Sequence, residues 1–167
     1  MDLQITTVSG VVIQLGEHNY KTTSTQTRWP PTGLRFIRDV YTHNDCHSVC
    51  HYKGYTYVGQ VGGAIVRIDQ HGRVTKAFIK LDNKVTSLAA HNDRLYTLVY
   101  QSGNQSKIFV HKLNTRELIK SWNHPYFNYS GQRITHIGDN QLAVGDWPYE
   151  QIIIYSLTGD VIRKVPC

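Results

Sequence analysis

The chain has 167 residues, enough for one ordinary domain with a real core, and carries a formal charge of +6 from 18 Lys and Arg against 12 Asp and Glu. Charged residues make up only 18% and eleven Tyr are present. That balance excludes a disordered chain and favours β-structure, because branched and aromatic side chains suit a pleated, half-buried surface.

No apolar run approaches the roughly 20 residues that a membrane-spanning helix needs, so no membrane partner is expected. The opening MDLQITTVSG lacks the basic start and apolar core of a secretory signal. Three cysteines, Cys46, Cys50 and Cys167, form an odd set that does not suggest a disulfide framework. The expected location is therefore a reducing one, the cytoplasm. Lys and Arg are scattered with no block of like charge, which fits a solvated basic surface better than a dedicated nucleic-acid face.

Along the first 45 residues, Val11 to Leu15 reads as a strand and Leu34 to Val40 as another. The polar stretch between them ends in Trp29-Pro30-Pro31, an extended loop. These strands are expected to form a partial blade or a segment that covers a sheet edge.

From residue 46 a pattern recurs. An apolar piece (HSVCHY, VTSLAAH, RITHIG) closes in a turn at Lys53-Gly54, Asn92-Asp93 or Gly138-Asp139. A second run follows (YTYVGQ, LYTLVYQ, LAVGD), with Val58, Val99 and Val144 aligned, and then a third (AIVRID, KIFVHKL, QIIIYSL). Turns at Gln70-His71-Gly72, Asn114-Thr115-Arg116 and Thr158-Gly159-Asp160 lead to a fourth run (RVTKAFI, ELIKSW, VIRKVP). Each unit is four short strands in about 39 to 47 residues, the size of a propeller blade. No helical stripe with caps is present. The fold class expected is all-β, a β-propeller-like array of four-stranded antiparallel blades, half of a six- or seven-bladed ring. Blade one is placed at 46–84, blade two at 85–128 and blade three at 129–167.

The third unit, Leu142-Ala143-Val144-Gly145-Asp146, then Gln151 to Tyr155, then Leu157 to Ile162, resembles an NHL repeat. The family's strand-ending Asp is Asp146 here, with Gln60 and Gln101 at the matching places. The resemblance implies a six-bladed ring and a binding role, as in the substrate-recognition part of a ubiquitin-ligase-type protein. Three blades would leave sheet faces and edges open, so a head-to-tail homodimer or a fragment of a longer propeller is expected.

Candidate contacts for a protein partner lie on the loop after LAVGD, at Asp146, Trp147 and Tyr149, and in the aromatic segment with Trp122 and Tyr126. Packing between blades is the competing reading for these rings. The alternative function is binding of single-stranded RNA, with Arg28, Arg35, Arg38, Lys53, Lys107 and Arg133 on the backbone and Tyr rings on the bases. A lactonase-type propeller hydrolase is the weakest reading, because no acids align across the units. The cluster Cys46-His47-Ser48-Val49-Cys50-His51 invites a metal, yet strand alternation would split its ligands between two faces. No metal, cofactor or catalytic residue is therefore assigned. The remaining histidines, including His111 and His124, read as surface positions.

Overall fold

The computed structural model describes residues 3–6, 12–15, 45–101, 105–124, 132–146 and 149–167, in two units, Met1–Asp45 and Cys46–Cys167. In the first unit β1 (Leu3–Thr6) pairs antiparallel with β2 (Val12–Leu15), Leu3 opposite Leu15. The strand expected at Leu34 to Val40 and the loop ending at Trp29-Pro30-Pro31 lie outside the described residues.

The second unit holds three four-stranded antiparallel sheets, each running in sequence order. Blade one is β3 (Cys46–Tyr52), β4 (Tyr55–Gln60), β5 (Ala64–Ile68) and β6 (Val74–Lys80). Blade two is β7 (Val85–His91), β8 (Arg94–Gln101), β9 (Gln105–Lys112) and β10 (Leu118–His124). Blade three is β11 (Ile134–Ile137), β12 (Gln141–Asp146), β13 (Gln151–Ser156) and β14 (Val161–Pro166). No α-helix occurs among the described residues.

Turn chemistry explains why these hairpins close. The first hairpin of each blade turns on a left-handed pair, Lys53 and Gly54, Asn92 and Asp93, or Asp139 and Asn140. Tight hairpins need that conformation to match strand twist, and Gly, Asn and Asp adopt it most easily. The last hairpin is organised by a side chain. Asp69 accepts from the amides of His71 and Arg73, both at 2.9 Å, while Asp160 bonds the hydroxyls of Ser156 and Thr158.

Hairpin register fixes the equivalent positions. Val49 faces Val58, Leu88 faces Thr97, and Ile134 faces Val144. The residue of blade two matching Val58 and Val144 is thus Thr97, and the alignment with Val99 is corrected by two residues. Val99 matches Gln60 and Asp146, the place assigned from sequence to Gln101. The reason is that β8 runs two residues further than β4 or β12, so its C-terminal end does not mark the register.

Apolar residues on both faces hold the sheets together. Tyr57, Ile65, Phe78 and Ile79 of blade one pack with Val85, Leu88, Leu95 and Leu113 of blade two. Tyr96, Leu98, Ile108 and Val110 of blade two pack with Ile134, Leu142, Val144, Ile153 and Tyr155 of blade three. The first strands lie side by side, β7 against β3 and β11 against β7. Hydrogen bonds also cross the second joint, among them one from the Ile134 amide to Ser87 Oγ at 3.1 Å. Burying each Ile or Leu contributes about 1.5–3 kcal/mol, so these two layers dominate the stability of the unit.

Gly59 shows how close the sheets come. A Cβ there would lie 2.4 Å from Val85 Cγ1 in blade two and 2.6 Å from Ser48 Oγ. Gly59→Ala is therefore expected to destabilise by about 1–3 kcal/mol through overpacking. Gly62→Ala, whose Cβ would meet nothing within 4 Å, should leave stability nearly unchanged. Urea unfolding of the two variants checks this. Equal midpoints would mean that blade two is not seated on Gly59.

Candidate functional site

Because each blade is an antiparallel meander, its connections alternate between two rims. One rim carries the first and last hairpin turns. The other carries the β4–β5, β8–β9 and β12–β13 loops together with the links from each blade to the next. The loop with Tyr149 and the chain leaving His124 thus share one rim.

The base of the Tyr149 loop is fastened on both sides. Asp146 faces Gln151 in the β12–β13 ladder, and Gln151 Nε2 donates to Asp146 Oδ2 at 2.7 Å. The carbonyl of Glu150 accepts from the Cys167 amide, also at 2.7 Å. Tyr149 stands out from this base, 52% exposed. Asp146 is 1% exposed, so its assignment as a contact residue is corrected. Its carboxylate anchors the loop from beneath. Trp147 and Tyr126 lie outside the described residues, as do Arg28, Arg35 and Arg38.

Trp122 is also corrected, in favour of packing. Its ring is half-buried against Tyr155, centroids 6.1 Å apart, and lies so near Gly159 that a Cβ there would come within 2.6 Å of Trp122 Cδ2. Gly159 has φ +93°, which glycine alone adopts readily, and the missing side chain makes room for the indole.

Between blades two and three lies a buried polar joint that sequence reasoning missed. His124 is 1% exposed and its Nδ1 shares a hydrogen bond with the Tyr155 hydroxyl at 2.8 Å. Burial, then the nearby Asp146 carboxylate, pushes the Tyr155 phenol well above its ordinary value, so it keeps its proton. Burial drives His124 down to about 4, only partly opposed by Asp146, so the imidazole is neutral. Beside it Ser106 Oγ donates to Gln132 Oε1 at 3.0 Å, both residues being buried. His124 Nε2 and Asp146 Oδ1 have no hydrogen-bond partner. A Ser, a His and an Asp are present here, yet all are sealed in the joint. General acid–base work requires a substrate within hydrogen-bond reach, and this cluster offers it no entrance. Its role is to hold blade three on blade two.

Other histidines depart from their expected surface places. His111 is 5% exposed and burial lowers its affinity for a proton. His91 of blade two stacks on His136 of blade three, rings 3.6 Å apart and 12° from parallel. Burial, and then His91, lowers the proton affinity of His136. The signal was weak in sequence, because a His on a strand reads as polar whichever face it occupies.

The cationic candidates among the described residues, Lys53, Lys107 and Arg133, do not converge. Lys53 lies at the hairpin rim and grips both oxygens of Asp93 at 2.7 and 2.8 Å. Lys107, third in β9, and Arg133, just before β11, lie towards the opposite rim. Lys107 Nζ sits 5.4 Å from the Phe109 centroid, and Arg133 donates to the Gln132 carbonyl at 3.1 Å. In the Cys46 to His51 cluster, the ladder slips between Cys46 and Ser48, which breaks the simple alternation expected of the strand. Burial pushes the Cys50 thiol up to about 12, so it stays protonated at neutral pH, and His51 Nδ1 pairs with Thr56 Oγ1 at 3.2 Å. Among the described residues, no group of three or more His, Cys, Asp or Glu could hold a metal.

No protein-family model matches the chain, and no curated protein sequence does. Solved structures do match. BamB from Moraxella catarrhalis aligns with a TM-score of 0.51 and 20% identity over 71% of this chain. The WD40 repeats of RRP9 align at 0.54 and 8% over 73%, and a chain of the mitotic checkpoint complex at 0.55 and 17% over 71%. This chain spans 34%, 38% and 36% of those three chains. The likeness shows the fold. The three sheets are β-propeller blades.

The His124 joint makes stability depend on pH. Its folded pKa is about 4 against an ordinary 6.5, so between those values the unfolded chain binds a proton that the folded chain refuses. Stability therefore rises with pH across that window and is lost as pH falls from 6.5 towards 4, by up to about 3 kcal/mol. Urea midpoints measured from pH 7 to 4 should fall steeply for the native chain and less steeply for His124→Asn. Parallel curves would contradict a buried neutral imidazole.

Proposed function

We propose that this chain is a non-enzymatic β-propeller scaffold that presents the β12–β13 rim to a protein partner. The observation that carries the reading is Tyr149, 52% exposed on a loop whose base is fastened by the Asp146–Gln151 pair and by the Cys167 amide. An aromatic ring on a rigid base loses little freedom on binding, and such rings are frequent anchors of interfaces. One of the structures with matching blades is a chain of the mitotic checkpoint complex. The sequence resemblance to NHL repeats extends the proposal to substrate recognition in a ubiquitin-ligase-type protein. Trp147, two residues before Tyr149 in the sequence, belongs to the proposed contact set by that position.

The reading against RNA rests on placement, since Lys53 lies at the rim opposite Lys107 and Arg133. Single-stranded RNA binding would show as affinity that falls steeply with salt.

Affinity capture with the native chain and with Tyr149→Ala tests the proposal. Tyr149→Ala is expected to reduce capture of RNase-resistant protein partners about tenfold, which corresponds to about 1.4 kcal/mol, while the melting curve stays in place. Capture that RNase abolishes, or that Tyr149→Ala leaves undiminished, would contradict it.

A further inference from the structure

Among the described residues, three ion pairs stand on the rim that carries the first and last hairpin turns. Lys53 meets Asp93 at 2.7 Å, Arg73 meets Asp69 at 2.6 Å and Lys112 meets Glu117 at 3.3 Å. Two further cations of that rim, Arg67 near the end of β5 and Arg116 in the β9–β10 turn, are held differently. The Arg67 guanidinium lies over both Tyr55 and Phe78, 4.7 Å from each centroid, and that of Arg116 lies 4.9 Å from the same Phe78 centroid. Neither guanidinium meets a carboxylate among the described residues. Blade one thus brings one arginine, and blade two the other, to a single ring at their joint. A bulge aims that ring. The β5–β6 ladder slips between Ile65 and Arg67, and Ala77 on the opposing strand has φ +46°. A left-handed alanine inside a strand is strained, and such a bulge turns side chains out of plain alternation. Phe78 is 2% exposed and packs with Leu88 and Leu113 of blade two, so its ring is a fixed support for both cations.

We infer that Arg67 and Arg116 form a docking site for an acidic peptide, on the rim opposite Tyr149. Ring contacts hold the face of a guanidinium in place, and its edges keep N–H donors in a fork that fits a carboxylate. Two cations over one ring repel each other, and an arriving pair of carboxylates relieves that repulsion. An extended peptide sets alternate side chains about 7 Å apart on one side, so acids at i and i+2 can engage both arginines. The formal charge of +6 draws acidic partners over a longer range. A single-stranded nucleic acid fits less well, because its bases stack on open aromatic faces. Here Phe78 is buried and Arg67 already lies over Tyr55.

Fluorescence anisotropy of the full 167-residue chain with a short labelled peptide of alternating glutamate and serine tests the site. Binding is expected, and the same peptide with glutamine for glutamate should bind at least about tenfold more weakly. Arg67→Gln and Arg116→Asn should each weaken binding of the glutamate peptide about tenfold. Arg116→Lys, which keeps the charge and loses the fork, should weaken it several-fold. Lys107→Gln removes the same charge towards the opposite rim and should change nothing. Asparagine tolerates the left-handed φ of +64° at Arg116, so that variant keeps its turn and decides even if Arg67→Gln does not fold. No binding of the glutamate peptide overturns the inference. So does an equal loss from Lys107→Gln and Arg116→Asn, or tighter binding of an oligouridylate than of the glutamate peptide. Tyr149→Ala should leave this binding in place, so the two proposals fail independently.

Discussion

A four-stranded sheet with apolar residues on both faces cannot stand alone in water, and that constraint organises the second unit. Blade two shows it most fully. Leu88 and Leu95 on one face pack on Tyr57 and Ile65, while Tyr96, Leu98 and Ile108 on the other pack on Leu142, Val144 and Ile153. Strand alternation, which elsewhere separates a wet face from a dry one, here separates two dry faces. What remains for solvent is the two rims and the outermost strands, so β14 is exposed along its whole length.

The same constraint decides where chemistry can occur. A polar side chain inside a joint must find a partner within the joint, as His124 finds Tyr155 and Ser106 finds Gln132. Such groups become neutral and inaccessible, and they lend the stack a sensitivity to acid. Groups open to solvent belong to the rims, where the backbone leaves the ladder. Asp146 and Tyr149 stand three residues apart on opposite sides of that divide.

Much of the architecture was legible in the sequence because turns and apolar runs repeat at a fixed interval. The hairpin pairs at Lys53-Gly54 and Asn92-Asp93, and the turns holding Gly72 and Gly159, announce four strands per unit without any reference to packing. What depends on register was not legible. Val99 stands third from the end of its strand, as Val58 does in its own, and only the hydrogen-bonded ladder shows that Thr97 is the match. The ladder slip after Cys46 is likewise invisible in the string of residues. The site was read in part. An aromatic loop after LAVGD was visible, yet which of its residues faces water depends on contacts with Gln151 and Cys167. His124 was misread because its partner, Tyr155, lies 31 residues away in another blade.

The central claim is that the sheets are stacked face to face, and native-state hydrogen exchange at Ile134 tests it most directly. Its amide donates to Ser87 Oγ of the neighbouring blade, so it can exchange only when the joint opens. The account expects Ile134 to be among the slowest amides, exchanging at the rate of global unfolding, with Ser87→Ala speeding it. Exchange at Ile134 as fast as in the exposed edge strand β14 would contradict the stacking.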